Sequence, residues 1–268
     1  MTTGTLAAPP GLAGAAYEKL GDRARLCGVY DSAGAPVYHD LASGDALEVR
    51  EIVREVRAVP GPVLDLAAGS GRFTFPLLAL GREVTALDLS QDMLDLLGGR
   101  IAAAPERVRS RCTVVRADMA AFRLETRFAH IVLGATSLSL LDPAGQEGLC
   151  RAVAAHLEPG GHFLFTVLER GDAAGADEQV SRVTGASGTA YDLHDHWPAG
   201  APTRTVTIIP ADPPPGPVPV CTGEVGTTDV AHVERALAGA GLELTGRRPL
   251  SGPDDRHQVT LMKAVSAR

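Results

Sequence analysis

The sequence predicts an α/β protein: a doubly wound, seven-stranded Rossmann-like sheet with an antiparallel lid insertion. Three observations lead there. Residues 63–80 read as a buried strand, a glycine-rich turn and a helix. The same strand-and-helix rhythm runs on to Leu168 and returns after Thr228. Between them, residues 171–226 carry no helical pattern and many turn formers.

In the first unit, Val63, Leu64 and Leu66 come after the breakers Pro60 and Pro62, and such a run suits a parallel strand buried on both faces. It ends in Ala67-Ala68-Gly69-Ser70-Gly71, and helical spacing begins at Phe73. Glycine admits positive φ and lets a ligand approach the backbone. The next helix N-terminus offers free N–H groups. A dinucleotide fingerprint fails here, because Thr74 stands where the third small residue belongs. The register that fits is acidic-x-small-x-Gly-x-Gly, with Asp65, Ala67, Gly69 and Gly71. ATP is disfavoured by the lack of any G-x-x-x-x-G-K-[ST] run.

The other elements come in order. Residues 1–14, rich in Ala, Pro and Gly, read as a loose arm, and Tyr17–Asp31 starts with a short helix. Asp45–Ala58 is an amphipathic helix on Leu47, Ile52, Val53 and Val56. Val84–Leu87 is a second strand ending at Asp88, and Ser90 caps a helix over 91–104. Cys112–Arg116 and Phe128–Gly134 are the third and fourth strands. Asp142-Pro143 opens a helix to about Leu157, which Glu158-Pro159-Gly160-Gly161 stops before a fifth strand, His162–Leu168. Thr189–His194 and Thr203–Ile209 read as antiparallel strands, and Ala211–Pro217 as a stiff connector after them. Thr228 or Asp229 caps a helix to Ala240, and Leu242–Arg247 and Val259–Val265 close the sheet. Four segments result: an arm and cap segment over 1–44, a ligand-binding core over 45–170, a lid over 171–226, and core-closing elements over 227–268.

Composition narrows the function. A net charge of −7 argues against nucleic acid or an anionic membrane as partner, and an aromatic content of 4% argues against base-stacking platforms. Cys27, Cys112, Cys150 and Cys221 stand at no metal or redox spacing, so reduced thiols in a cytoplasmic protein are expected. The opening MTTGTLAAPPGLAG has neither a charged start nor a long apolar core, so no signal peptide is expected. No apolar run approaches the roughly 18 residues of a membrane span.

Ligands in open α/β sheets sit beyond the carboxyl ends of the strands. Asp65, Asp88 and Asp118 fall there on successive strands, with Asp88 about 23 residues after Asp65. The Asp65, Ala67, Gly69 and Gly71 pattern resembles the first motif of class I S-adenosylmethionine (SAM) methyltransferases, and that resemblance implies that the glycine turn lies under the methionine and ribose, with Asp65 placed to accept from a ligand ammonium. Asp88 then accepts both ribose hydroxyls, Asp118 accepts from the adenine amino group, and Met119 and Leu89 cover the ring. The structural alternative for each acid is a helix N-cap or a solvated loop.

The chain resembles class I SAM-dependent methyltransferases over roughly 28–265, on VLDLAAGSGRFTFPLLALGREVTALDLSQDMLDLL, VVRADMAAF and HLEPGGHFLF. More narrowly, it is similar to actinobacterial N-methyltransferases of peptide natural products, on LCGVYDSAGAPVYHDL, VRSRCTVVRADMAAF, VLGATSLSLLD, TVTIIPAD and CTGEV. GATSLSLLD and VTGASG favour the daptide type, which dimethylates a peptide amine; the type acting on glycopeptide antibiotics is a near relative. Ala67 replaces the family's usual first glycine, a change tolerated if φ stays negative.

The resemblance implies SAM as cofactor and an N-terminal tyrosine closing over its methionyl end, Tyr38 first and Tyr30 second. It also implies that Gly134, Ala135 and Thr136 line the methyl-transfer funnel, with Ser70 in the cofactor turn and Thr136 orienting the amine. The acceptor is a peptide primary amine. A glycopeptide, a small amine, an amino sugar or a hydroxyl remain alternatives, as does a non-catalytic SAM-binding partner role. His194 and His196 share one face of a strand, but no third ligand is evident and nitrogen methylation needs no metal, so none is expected. The other histidines read as structural or exposed, and Asp172, Asp177 and Glu178 as a solvated face.

Overall fold

A computed structural model describes residues 6–42, 46–170, 177–213, 215–250 and 257–266. The start of the expected arm, the segment boundary at 44 and 45, the first lid residues from 171, Asp172 and part of the 211–217 connector lie outside them. The chain divides into two compact units, Met1–Gly44 with Ala174–Thr227 and Asp45–Ala173 with Thr228–Arg268.

In chain order the elements are α1 (Gly11–Leu20), β1 (Ala24–Gly28), α2 (Gly34–Ala42), α3 (Leu47–Ala58), β2 (Val63–Leu66), α4 (Thr74–Ala79), β3 (Val84–Asp88), α5 (Gln91–Ala103) and α6 (Glu106–Arg109). Then come β4 (Cys112–Arg116), β5 (Phe128–Leu133), α7 (Pro143–His156), β6 (Leu157–Arg170), β7 (Asp177–Thr184), β8 (Ala190–Trp197), β9 (Thr203–Pro210), β10 (Val218–Gly226), α8 (Val230–Gly239), β11 (Leu242–Pro249) and β12 (His257–Ser266).

The larger unit holds a seven-stranded sheet in the order β11-β12-β6-β5-β2-β3-β4. Its neighbours pair in parallel except at β12, which runs antiparallel to β6 and β11. The order reverses between β2 and β5, and in open α/β sheets a ligand sits beyond the strand ends at such a switch point. Both faces are covered. On one, Leu149 and Val153 of α7 and Val233 and Leu237 of α8 pack with Leu64, Ile131 and Phe163. On the other, Ile52 and Val56 of α3 and Leu77 of α4 pack with Val63, Val132 and Leu164. This alternation explains why the short strands read as continuous apolar runs.

His130 is the polar exception in fully buried β5. Its Nε2 meets Val59 O at 2.9 Å, and burial lowers its pKa, so the ring stays neutral there.

Two expectations change. Residues 1–14 read as a loose arm, yet α1 starts at Gly11, and its Ala16, Tyr17 and Leu20 pack on Ile209, Val218 and Val220. Of the arm itself, residues 11–14 are helical with Ala13 buried, and residues 6–10 carry no helix or strand. Residues 158–161 do not form a stop between helix and strand. β6 begins at Leu157, paired with Phe128, and its register jumps before His130 meets His162, so these residues bulge within the strand.

The smaller unit holds a five-stranded sheet in the order β1-β10-β9-β8-β7, parallel only between β1 and β10. Adjacent Ile208 and Ile209 point to opposite faces. Ile208 joins Cys27, Tyr191 and Cys221, over which Val37, Tyr38 and Leu41 of α2 pack. Asp40 of α2 accepts from Ser187 N–H at 2.6 Å, the Ser187 hydroxyl at 2.7 Å and the Tyr191 hydroxyl at 2.9 Å, tying α2 to the β7–β8 turn. Among the described residues no helix is long and apolar enough to cross a membrane.

Candidate active site at the switch point

Strands β2, β3 and β5 lie side by side and deliver the site from their carboxyl ends. Asp65 on β2 is fully buried. Its Oδ2 accepts the Thr74 hydroxyl at 2.6 Å, and its Oδ1 has no protein hydrogen-bond partner. Burial, reinforced by the Asp88 charge, raises its pKa to about 7.

The turn after β2 differs from expectation at its first residue. Ala67 has φ of +50°, in the left-handed region, so its methyl is carried against the backbone preference rather than with it. Gly71 has φ of +94°, and a Cβ there would lie 2.7 Å from Leu97 Cδ1, so both conformation and space require glycine. Ser70 is buried, and its carbonyl accepts from Arg100, whose guanidinium stacks on Phe75 at 4.1 Å.

Asp88 ends β3 and braces the turn. Gly69 N–H donates to its Oδ2 and Ser90 N–H to its Oδ1, each at 2.8 Å. Leu89 N–H also bonds this carboxylate, whose oxygens together accept about four hydrogen bonds, so capacity for a ligand donor remains. Burial raises the Asp88 pKa, against the lowering effect of these N–H groups. Leu89, beside it, is 41% exposed.

Asp118, past the end of β4, is exposed, and its Oδ1 accepts Ala120 N–H at 2.8 Å in a local turn. Met119 is 8% exposed and belongs to the core with Leu87 and Phe122.

The loop after β5 is the most constrained. A Cβ on Gly134 would stand 2.2 Å from the Phe73 ring. Ala135 and Thr136 come next with φ of +54° and +53°, two successive left-handed residues that are not glycine. Thr136 precedes the short 3-10 turn Ser137–Leu140 without capping it by its side chain.

The loop is held by a residue that sequence reasoning missed. Glu48 of α3, 5% exposed, accepts Ala135 N–H and the Thr166 hydroxyl at its Oε1, both at 2.6 Å. Arg72 reaches its Oε2 at 3.0 Å. Thr166 in turn accepts Thr136 N–H at 3.0 Å. The signal was present: Glu48, Ile52 and Val56 are the buried positions of α3, so a carboxylate occupies the helix's apolar stripe.

Tyr30 and Tyr38 belong to the smaller unit, where their rings meet edge to face, centroids 5.2 Å apart.

A family model described as "Methyltransferase domain" matches residues 63–161. Among solved structures, the glycopeptide N-methyltransferase MtfA, crystallised with sinefungin, is 35% identical; the match covers 94% of this chain and 96% of that one, with a TM-score of 0.66. The CcbJ methyltransferase from Streptomyces caelestis is 25% identical over 90% of this chain and 99% of that one, with a TM-score of 0.76. A dTDP-3-amino-3,4,6-trideoxy-alpha-D-glucopyranose N,N-dimethyltransferase from Streptomyces venezuelae is 29% identical over 120 residues, 44% of this chain. The chain spans 47% of that curated relative's length, and 19% of a Halomonas elongata 23S rRNA (uracil(1939)-C(5))-methyltransferase to which it is also similar.

The fold, the site and these matches define a methyltransferase. The chain belongs to the class I SAM-dependent methyltransferases, and within them it is related to actinobacterial N-methyltransferases of glycopeptides and other natural products.

Proposed function

We propose that this enzyme methylates an amine nitrogen of a natural-product intermediate, with a primary amine of a ribosomal peptide, methylated twice, as the first acceptor. The observation that carries the nitrogen assignment is the 35% identity, along 94% of the chain, to a glycopeptide N-methyltransferase.

The residues at the switch point suit SAM. Asp88 keeps acceptor capacity for a ribose hydroxyl. Asp65 Oδ1 is a buried acceptor lacking a protein donor, fitting a cationic ligand group nearby. The turn over Ala67–Gly71 brings bare backbone to the crevice. Leu89 offers exposed apolar surface beside Asp88 for an adenine ring, and Asp118 retains a second carboxylate oxygen for its amino group. Met119 acts from beneath as packing.

When bound, SAM supplies an electrophilic methyl group on a sulfonium. The chain's own work is then alignment and desolvation. The Gly134–Thr136 loop presents a fixed wall to the acceptor, with Thr136 as the residue that orients its nitrogen. An alkyl ammonium, with a free pKa near 10 by analogy with lysine, must lose its proton before it attacks, and an apolar surround favours that loss. Tyr38, with Tyr30 as alternate, keeps the role the resemblance gives it at the methionyl end. The four free thiols suit a reducing cytoplasm.

The test is mass spectrometry after incubation with SAM and a panel of amine-bearing peptides, glycopeptides and amino sugars. Gain of one and then two methyl groups on a peptide nitrogen is expected. Methylation confined to amino sugars would move the acceptor to that class. Methylation only at oxygen would reject the nitrogen assignment.

A further inference from the structure

We propose that Glu48 is the positioning residue that sets methyl donor against acceptor. The inference rests on the proposed function for its reaction and on geometry for its site. One buried carboxylate is bonded to both sides of the crevice: Arg72 comes directly after the glycine turn at Gly71, and Ala135 belongs to the loop after β5. Thr166 of β6 completes the link, donating to Glu48 and accepting from Thr136.

Two consecutive left-handed non-glycine residues are strained and persist only where the surroundings over-determine them. Here both backbone N–H groups are captured, one by Glu48 and one by the hydroxyl that Glu48 itself orients. The Ala135 N–H bond to the Glu48 carboxylate is charge-assisted and so the stronger of the two. The carboxylate, its 5% exposure notwithstanding, is compensated by three donors. Glu48 touches neither reacting atom; it acts through the loop and the turn. A displacement of about 1 Å in such a frame lowers turnover by about a hundredfold.

The experiment compares wild type with Glu48→Gln, Thr166→Val and Thr166→Ser at saturating SAM. Glu48→Gln and Thr166→Val are expected to lower kcat about tenfold to a hundredfold, with the Kd for SAM within about twofold of wild type. Thr166→Ser, which keeps the hydroxyl, should recover most of the kcat that Thr166→Val loses. An unchanged kcat in the first two variants overturns the proposal, as does Thr166→Ser behaving like Thr166→Val.

The amide proton resonances of Ala135 and Thr136 report the same contacts without turnover. Glu48→Gln should move both upfield while distant amides stay put, and unmoved resonances would overturn the proposal. A wild type that methylates no amine fails the proposed function alone and leaves these resonances to decide the role of Glu48.

Discussion

Replacing Asp65 with asparagine should change how stability depends on pH. In the folded chain its carboxyl titrates near 7 instead of the ordinary 3.8, chiefly through burial. Well below pH 3.8 both folded and unfolded chains hold the proton, and the group contributes no difference. Between about 4 and 7 the unfolded chain ionises first, the folded state binds more protons, and stability falls as pH rises. Above about 7 both are ionised and the full penalty stands. At about 1.4 kcal/mol per tenfold change in proton affinity, the move from 3.8 to about 7 amounts to about 4 kcal/mol. Asparagine keeps an oxygen for the Thr74 hydroxyl and has no proton to lose. The assay is urea unfolding of both proteins from about pH 5 to about pH 9 without ligand, which brackets the titration. The wild type should lose stability relative to Asp65→Asn up to about pH 7 and then run parallel to it. A difference constant over the whole range would refute the reasoning.

Two packing predictions accompany it. Ala67→Gly should raise stability by a few tenths to about 1 kcal/mol in thermal unfolding, because relief at φ of +50° exceeds the added entropy of the unfolded chain. A lower midpoint would contradict the strained turn. Gly134→Ala should cost roughly 1–3 kcal/mol in denaturant unfolding, since its Cβ would stand 2.2 Å from the Phe73 ring and the ring must move. Unchanged stability would show that the contact yields freely.

The seven-stranded sheet was legible because its central strands β2 and β5 are buried on both faces and its turns use small residues and caps. Ser90, Asp142 and Asp229 accept from Met93, Gly145 and Ala231 N–H groups at the helix starts, as their sequence positions imply. The smaller sheet was half legible. β7, DEQVSRVT, has no apolar alternation and is exposed at alternate residues toward its end. β10 contains Pro219 and two glycines, which argue against a strand locally. β1 is a five-residue strand whose parallel partner lies nearly two hundred residues away, and no local pattern encodes that pairing. At the site, the acids and glycines could be read from spacing alone. The conformation of Ala67 could not, since its φ is imposed by the turn's hydrogen bonds to Leu87 and Asp88 on the next strand. Glu48 escaped because a charge on a helix suggests solvent, and only the fold brings three donors to it.

The central claim is that the β3-end carboxylate, braced by the glycine turn, holds the nucleoside of SAM. Calorimetric titration of SAM into wild type and Asp88→Ala measures it. Losing the charge-assisted hydrogen bond to the ribose, worth about 1.5–3 kcal/mol, should weaken binding by about tenfold to a hundredfold. Equal affinity in the two proteins, or no heat of binding in the wild type, would contradict it.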